Sequence, residues 1–250
     1  MRIDNKMVGL VLAGGKGTRL GDLTLSISKQ LLGVYAQPMI FYPIKTLIDM
    51  GIRDILIIVA DYVQLSLFEK CLGNGSKYGV KLEYIVQESP NGLAEAFIIG
   101  EDFIGTSDVT LILGDNVFLM NNIGKTSPNT IFTYKVKDPS AYGVATFDKY
   151  GELYDIVEKP QIFIGEDAVV GLYVFKNNVI ELAKTLKPSP RGELEIVDLI
   201  KEVMVEGFVD VRELDGAWFD CGTVDDLLDC ANFVRTLAKR TNHDILLKEI

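Results

Sequence analysis

The feature that most constrains the fold is an alternation of short apolar runs with helical patterns in the first half of the chain. The apolar runs that predict buried strands are Val8–Leu12, Asp54–Ala60, Val80–Val86 and Val109–Leu113. The helical patterns between them cover residues 38–50, with proline in the first turn, 64–72 and 93–103. This order predicts an α/β fold with a doubly wound, mostly parallel, Rossmann-like sheet.

The second half has a different pattern, in which several strands follow one another. The predicted strands are Thr130–Val136, Tyr142–Phe147, Glu152–Val157, Val169–Phe175 and Phe208–Arg212, and the predicted helices are Asn177–Leu186, Leu194–Glu206 and Asp225–Ala238. No low-complexity linker and no internal repeat divides the chain. We therefore expect residues 1–250 to form a single domain with a β-rich substrate-binding subregion.

Composition narrows the possible functions. The chain has 250 residues, of which 48% are hydrophobic, and a formal net charge of -10, which disfavours a general nucleic-acid surface. No apolar run is long enough to span a membrane, and the N-terminus lacks a signal-peptide core. The three cysteines, at positions 71, 221 and 230, form no CxxC pair, so reduced thiols in a cytoplasmic protein are expected. Because the single histidine, His243, lies in a polar tail close to the end of the sequence, a histidine-based triad is excluded, and one histidine cannot form a multi-histidine metal site.

A glycine-rich turn, Ala13–Leu20, follows the first predicted strand. Its glycines let backbone N–H groups approach an anion, and Arg19 adds a permanent charge that suits phosphate oxygens. The turn is not a P-loop, because Gly17 follows Lys16, and it is not a dinucleotide fingerprint, because Leu20 stands where the last glycine is needed. By itself the motif leaves open an ordinary connection between a strand and a helix.

Two aspartates follow apolar segments and suggest a magnesium site. Asp115 lies at the end of a predicted strand, and Asp220 lies in Trp218–Thr223. Carboxylates at strand ends suit Mg²⁺, which prefers a few carboxylates together with phosphate oxygens. The alternative is that both are helix caps or turn residues, although Thr223 is a better cap than Asp220.

Two further segments contain charged residues whose roles the sequence alone leaves open. Glu158 and Lys159 precede Pro160, and they suit sugar hydroxyls and a sugar phosphate, or else form an exposed ion pair at a turn. Residues 28–30 have the pattern of a surface loop with one useful cation, Lys29.

The order of these segments identifies a resemblance. The segments are Gly14–Leu20, Ser28–Leu32, Pro38–Ile40, Leu113–Asn116, Tyr142–Val144, Glu158–Pro160, Gly171–Tyr173, Pro188–Ile196 and Asp220–Thr223. Together they resemble the sugar-1-phosphate nucleotidylyltransferases, most of all the bacterial glucose-1-phosphate thymidylyltransferases, from about residue 7 to residue 237. The resemblance implies transfer of a nucleotidyl group from dTTP to glucose 1-phosphate, with Mg²⁺ and with little need for a general base. It also implies a nucleotide-binding half at about 7–125 and a sugar-binding and metal-completing half at about 126–240.

The resemblance also implies roles for individual residues. Catalysis would fall to Arg19, Lys29 and Lys159, and the metal ligands would be Asp115 and Asp220. The nucleotide would contact Leu12, Ala13, Gly14, Gly15, Gly17, Thr18, Gln30, Gln87, Pro90, Gly92 and Gly114. The sugar phosphate would contact Asn116, Tyr142, Gly143, Glu158, Lys159 and Gly171.

Specificity stays open at this stage. Gln30, Gln87 and the Gly92 backbone would read the base, because an amide matches the donor and acceptor edge of thymine or uracil. Without the resemblance, Gln87 reads as a surface amide at a strand end. The alternatives are another sugar 1-phosphate, UTP or CTP, or a catalytically silent regulatory protein that binds nucleotide sugars. The chain ends soon after its last predicted helix, so we expect a short form without the C-terminal effector segment, which leaves a homo-oligomer open.

Overall fold

A computed structural model describes residues 6–15, 17–120, 123–242 and 244–249. Its strands are β1 Met7–Ala13, β2 Gly33–Val34, β3 Gln37–Pro38, β4 Asp54–Val59, β5 Lys81–Val86, β6 Asp108–Leu113, β7 Asn116–Met120, β8 Thr130–Lys135, β9 Gly143–Phe147, β10 Leu153–Glu158, β11 Asp167–Phe175, β12 Asp210–Glu213 and β13 Gly216–Asp220. Its α-helices are α1 Phe41–Asp49, α2 Tyr62–Leu72, α3 Glu95–Ile99, α4 Glu101–Ile104, α5 Val179–Thr185, α6 Ile196–Glu206 and α7 Val224–Arg240. Within these ranges, every helix is too short or too polar to cross a bilayer.

The chain divides into two compact units. The first unit contains the described residues of 8–90, 112–125 and 216–249, and the second contains those of 6–7, 91–111 and 126–215. Strand β6 has residues in both units because the boundary falls at Leu111. The first unit is therefore completed by the last segment of the chain.

The first unit is built on parallel strands. β1, β4 and β5 lie in that order, with Leu10 opposite Leu56 and Ile57 opposite Tyr84. The central residues of β1 and β4 are buried, because the apolar run in each strand faces packed side chains on both sides. The predicted α/β class with a mostly parallel sheet is confirmed.

A two-stranded antiparallel ribbon of β7 and β13 also belongs to the first unit. Asn116 lies opposite Asp220, and Phe118 lies opposite Trp218. Behind the ribbon, Val117 joins an apolar cluster with residues of β2, α1 and α7. Helix α7 begins with a capping box, in which the Thr223 Oγ1 accepts a hydrogen bond from the Asp226 N–H at 3.2 Å. These contacts fix the carboxyl end of β13 just ahead of α7.

The second unit is rich in antiparallel strands. β11 pairs with β8 and β9, and β10 pairs with β9 at the edge. β12 runs parallel to its partner, β8. The register places Gly143 opposite Glu158, which brings two predicted sugar-site residues together. The β-rich character of this region is as predicted.

The structure corrects two predicted helices and adds two strands. The helix expected at 38–50 begins at Phe41, because Pro38 pairs with Gly33 in the β2–β3 hairpin, and the proline of its first turn is Pro43. The helix expected at 93–103 is divided into α3 and α4 at Gly100. Strands β7 and β13 were not predicted. The capping of the last helix by Thr223 is confirmed.

Candidate active site

The glycine-rich turn leads into a short 3-10 turn, Thr18–Thr24, and not into an α-helix. Gly17 has a φ of 64°, in the left-handed region that favours glycine. Its carbonyl accepts a hydrogen bond from Thr24 Oγ1 at 3.0 Å. The turn therefore connects β1 to a 3-10 segment, and Gly17 has a conformational requirement of its own. Lys16 lies outside the described residues.

Glycines in this unit allow functional side chains to lie against the backbone. A Cβ placed at Gly222 would stand 2.7 Å from Arg19 Nη2, and one at Gly15 would stand 3.4 Å from Lys29 Cε. Likewise, a Cβ at Gly14 would lie 3.2 Å from Gln87 Oε1, and a Cβ at Gly114 would lie 3.1 Å from Gln30 Cγ. The structure thus brings the turn, residues 29–30, Gln87, Gly114 and the end of β13 together, as the predicted nucleotide site requires.

Two carboxylates and two cations form what we call the carboxylate cluster: Asp115, Asp220, Lys29 and Arg19. Lys29 Nζ forms an ion pair with Asp115 Oδ2, and the Cys221 N–H donates to the Asp115 carbonyl at 3.0 Å. Burial and the charge of Asp115 raise the pKa of Asp220 to about 6, against the opposing effect of Lys29 and Arg19. The aspartates therefore repel each other and favour a shared cation.

Of the alternative roles considered for these aspartates, the turn role fits Asp115 and the helix-cap role fits neither. Asp115 lies in the turn between β6 and β7, so no helix follows it. Asp220 ends β13, and Thr223 caps α7 in its place. The helix-cap interpretation is wrong for both residues.

Residues 28–30 and Gln87 are buried, so the surface interpretations of both are wrong. The exposed fraction is 9% for Lys29, 1% for Gln30 and 7% for Gln87. Ser28 Oγ donates to Gln30 Oε1, and the Ser28 N–H donates to Gln64 Oε1 at 3.0 Å. The 3-10 turn at residues 29–31 thereby points its cation inward, where it meets Asp115.

Asn116 and Trp218 form a polar contact that sequence reasoning missed. Trp218 Nε1 donates to Asn116 Oδ1 at 2.8 Å, and Asn116 Nδ2 donates to Asp115 Oδ1 at 3.2 Å. Asn116, predicted as a sugar ligand, is thus buried beside the carboxylate cluster. The sequence signal for this contact was the single tryptophan, two residues before Asp220.

In the second unit, four charged residues form what we call the glutamate cluster: Glu158, Lys159, Arg191 and Glu195. Arg191 Nη2 lies 3.2 Å from Glu158 Oε1 and 2.9 Å from Glu195 Oε2, and Lys159 Nζ lies 3.3 Å from Glu158 Oε1. Ser189 Oγ also donates to Glu195 at 2.7 Å. Sequence reasoning had left Arg191 and Glu195 without a role.

The backbone around Glu158 is unusual. Lys159 has a φ of 45°, although it carries a side chain and precedes proline, and its N–H donates to the Tyr142 carbonyl at 2.9 Å. A Cβ at Gly143 would stand 3.4 Å from Glu158 Oε2 and 2.9 Å from a methyl of Val197. A glycine is therefore needed beside the carboxylate. Gly171 is buried within β11.

The remaining predicted residues lie at the ends of strands and turns or in a loop. Leu12 and Ala13 end β1, Thr18 begins the 3-10 turn, and Pro90 is exposed. Gly92 has a φ of 106°, and a Cβ there would collide with the Leu194 backbone. This collision is a structural reason for the glycine, in addition to the predicted contact with the base.

The carboxylate cluster fits a magnesium ion. Mg²⁺ is held in proteins by one or two carboxylates, with waters and substrate phosphates as its other ligands. Asp115 and Asp220 supply this number, and the charge of Asp115 contributes to the raised pKa of Asp220. Among the described residues, no group of three or more metal-ligating side chains is present, which matches such a sparse site better than an all-protein cage.

Comparison with known proteins identifies the family. Residues 8–236 match the family model for nucleotidyl transferases. This chain belongs to the nucleotidyl transferase family. The glucose-1-phosphate thymidylyltransferase of Neisseria gonorrhoeae is 48% identical over 98% of this chain and 88% of its own length. That of Mycolicibacterium smegmatis is 46% identical over 94% of this chain and 84% of its own.

Solved structures agree with this family. A Bacillus anthracis protein described as a glucose-1-phosphate thymidylyltransferase, solved with sucrose, superposes with a TM-score of 0.85 at 34% identity. The match covers 92% of this chain and 95% of that one. A UDP-glucose pyrophosphorylase bound to UDP-glucose shares the fold, with a TM-score of 0.80 at 23% identity over 93% of this chain and 99% of its own. The predicted resemblance is confirmed.

Proposed function

We propose that this chain transfers a thymidylyl group from dTTP to glucose 1-phosphate, giving dTDP-glucose and pyrophosphate. One observation carries the proposal: the β7–β13 ribbon brings two aspartates against Lys29 and Arg19, beside the glycine-rich turn. The relatives of 41–48% identity that cover most of the chain bear the name of this activity, which favours it over the alternatives.

The reaction is an in-line displacement. A phosphate oxygen of glucose 1-phosphate attacks the α-phosphorus of dTTP, a new P–O bond forms, and the bond to the β-phosphate breaks as pyrophosphate leaves with the electron pair. Arg19 would neutralise the leaving pyrophosphate, and Lys29 would support the triphosphate. Lys159 would hold the sugar phosphate. Because these residues position groups and balance charge, no general base is needed.

The binding roles in this proposal are those that the resemblance implies. The turn residues Gly14, Gly15, Gly17 and Thr18 would contact the triphosphate, and Gln30, Gln87 and Gly92 the base. The sugar would contact Glu158, Tyr142, Gly143 and Gly171, with Asn116. Asp115 and Asp220 would hold Mg²⁺, which when bound supplies a positive charge for the phosphates. We retain residues 7–125 as the nucleotide-binding half, residues 126–240 as the sugar-binding half and a cytoplasmic location as predictions.

A pyrophosphate-release assay tests the proposal. The purified chain is mixed with MgCl₂ and each pair drawn from dTTP, UTP and CTP with several sugar 1-phosphates. We expect turnover with dTTP and glucose 1-phosphate, and loss of at least a hundredfold in kcat for Asp115→Asn. Turnover with another pair alone would replace the substrates, whereas saturable binding without turnover would identify a regulatory protein.

A further inference from the structure

A buried chain of hydrogen bonds connects the single tryptophan to the carboxylate cluster. It runs from the Trp218 indole N–H to the Asn116 amide oxygen, and from the amide nitrogen to Asp115 Oδ1. Asn116 is 2% exposed and Trp218 8%, so bulk water does not compete for the bond between them. The two residues belong to facing strands of the β7–β13 ribbon, which sets their separation.

The tryptophan sets the donor-to-acceptor direction of this series of hydrogen bonds. An indole N–H can only donate, whereas an amide can turn either its oxygen or its nitrogen toward a neighbour. Because Trp218 donates to Asn116, the amide oxygen must face the indole, and the amide N–H₂ must face Asp115. The reversed amide would set two donors against each other and an oxygen against a carboxylate. Trp218 therefore selects the amide orientation that holds Asp115.

Asp115 is thereby restrained at both oxygens. Oδ1 accepts from Asn116, and Oδ2 forms the ion pair with Lys29. The backbone of Asp115 is restrained as well, through the hydrogen bond from the Cys221 N–H. Loss of Trp218 would remove the indole donor that faces the Asn116 amide oxygen, and the nitrogen of the same amide donates to Asp115 Oδ1.

We propose that Trp218 is a positioning residue, which orients Asp115 through Asn116 for binding of a divalent cation shared with Asp220. This inference rests on the proposed function of the two aspartates. Residues that orient metal ligands affect metal affinity by about 10–100-fold in general, so we expect Trp218→Phe to weaken cation binding by roughly tenfold. Trp218 itself does not touch the reacting atoms.

The first test is spectroscopic and uses the unmodified chain. With one tryptophan, a ¹⁵N-labelled sample gives one indole N–H cross-peak, which reports the hydrogen bond to Asn116 directly. We expect this peak to shift during titration with MgCl₂, and to exchange faster with solvent in Asn116→Leu. A peak that stays unchanged up to saturating Mg²⁺, while other amides move, would overturn the inference.

The second test measures Mn²⁺ affinity from the electron paramagnetic resonance signal of the free ion. We expect Trp218→Phe and Asn116→Leu each to weaken Mn²⁺ binding by roughly tenfold, and the double variant to bind no more weakly than Asn116→Leu alone. Phe118→Leu is the matched control, because Phe118 faces Trp218 in the same ribbon but is outside the polar chain. It should lower thermal stability and leave Mn²⁺ affinity within twofold of the wild type.

Further variants separate this inference from the proposed function. If Asp115→Asn and Asp220→Asn bind Mn²⁺ as tightly as the wild type, the metal site itself is wrong. If those two lose the ion while Asn116→Leu and Trp218→Phe keep wild-type affinity, only the positioning role is wrong. Should Trp218→Phe fail to fold, Asn116→Leu and the indole titration decide the question.

Discussion

Asp220 is a carboxyl group that its surroundings drive toward the neutral form. Its folded-state pKa of about 6 lies above the ordinary value of 3.8 because of burial and of Asp115. The proton therefore stabilises the folded state fully below about pH 4, and this stabilisation is lost as the pH rises through about 6. In the metal-free protein, ionised Asp220 should then cost on the order of 1–3 kcal/mol of unfolding free energy above pH 6.

Replacement of this aspartate should expose that cost. We expect Asp220→Asn to raise the melting temperature of the EDTA-treated protein at pH 8 and to change it little at pH 4, as measured by circular dichroism. Asp225→Asn, at the exposed start of α7, is the control and should show no such gain. Equal gains for Asp220→Asn at both pH values would contradict the assigned cause.

Lys159 has a backbone conformation that a glycine would adopt more easily. At a φ of 45°, a residue with a Cβ raises the free energy of the folded state by roughly 1–2 kcal/mol relative to glycine. Glycine in turn stabilises the unfolded state by about 0.4–1 kcal/mol, because its backbone has more conformational entropy. We therefore expect Lys159→Gly to be more stable than Lys159→Ala by about 0.5–1 kcal/mol in urea unfolding. At most other positions, alanine gives a more stable protein than glycine.

Activity measurements on the same two variants should distinguish the effect of backbone strain at Lys159 from the effect of its charge. Both Lys159 variants lack the ammonium group, so both should lose kcat/KM for glucose 1-phosphate by a similar factor, in an assay at saturating dTTP. An alanine variant as stable as the glycine variant would show that the positive φ carries no cost. A large difference in activity between them would mean that the backbone conformation at this position also contributes to catalysis.

At the scale of elements, the junction between β13 and α7 controls where Arg19 lies. Alanine at Gly222 would set its Cβ 2.7 Å from Arg19 Nη2, so the guanidinium must move. We expect Gly222→Ala to lower kcat/KM for dTTP by about tenfold, or about 1.4 kcal/mol, in initial-rate assays.

A second glycine provides the matched control. A Cβ at Gly33 would meet nothing within 4 Å, and this residue lies in the same unit, in the β2–β3 hairpin. Gly33→Ala should keep kcat/KM for dTTP within twofold. If Gly222→Ala also did so, Arg19 would not need its present position for catalysis.

The elements differ in how far the sequence predicts them. β1, β4 and β5 were predicted within a residue or two because a buried parallel strand carries a continuous apolar run. β7 and β13 were missed because each is short and its partner strand lies far away in the sequence, as in the pairing of Phe118 with Trp218. Pro38 was placed in a helix because a hairpin and the first turn of a helix use proline alike.

In the candidate site, too, some features were predicted from the sequence and others were missed. Asp115, Asp220 and Lys29 were predicted from motifs, and the structure brings them together. Burial of Gln30 and Gln87 was missed, since isolated polar residues give no periodicity from which to predict it. Arg191 and Glu195 were also missed, because their ion pairs depend on the packing of a turn.

At the scale of the whole molecule, ligand binding should raise the free energy of unfolding. If both Mg²⁺ and dTTP bind only the folded chain, each adds RT ln(1 + [L]/Kd), or about 2.7 kcal/mol at a hundred times Kd. We expect dTTP with MgCl₂ to raise the melting temperature by several degrees, and excess EDTA to remove most of that rise.

The aspartate variants provide the control for this shift. Asp115→Asn should melt at the same temperature with and without MgCl₂ at fixed dTTP, because it lacks a metal ligand. A wild-type shift that survives EDTA unchanged would mean that the nucleotide binds without the cation.

The order of the chain determines when its carboxylates can meet during synthesis. Asp115 and the adjoining strand β7 leave the ribosome before the whole of residues 126–215, and β13 follows only after them. Asn116 and Trp218 are separated by 102 positions in the sequence, so at roughly 5–20 residues per second the chain from one to the other takes on the order of 5–20 s to add. Throughout that interval β7 has no ribbon partner, and the nascent chain cannot bind the cation that the finished chain would hold.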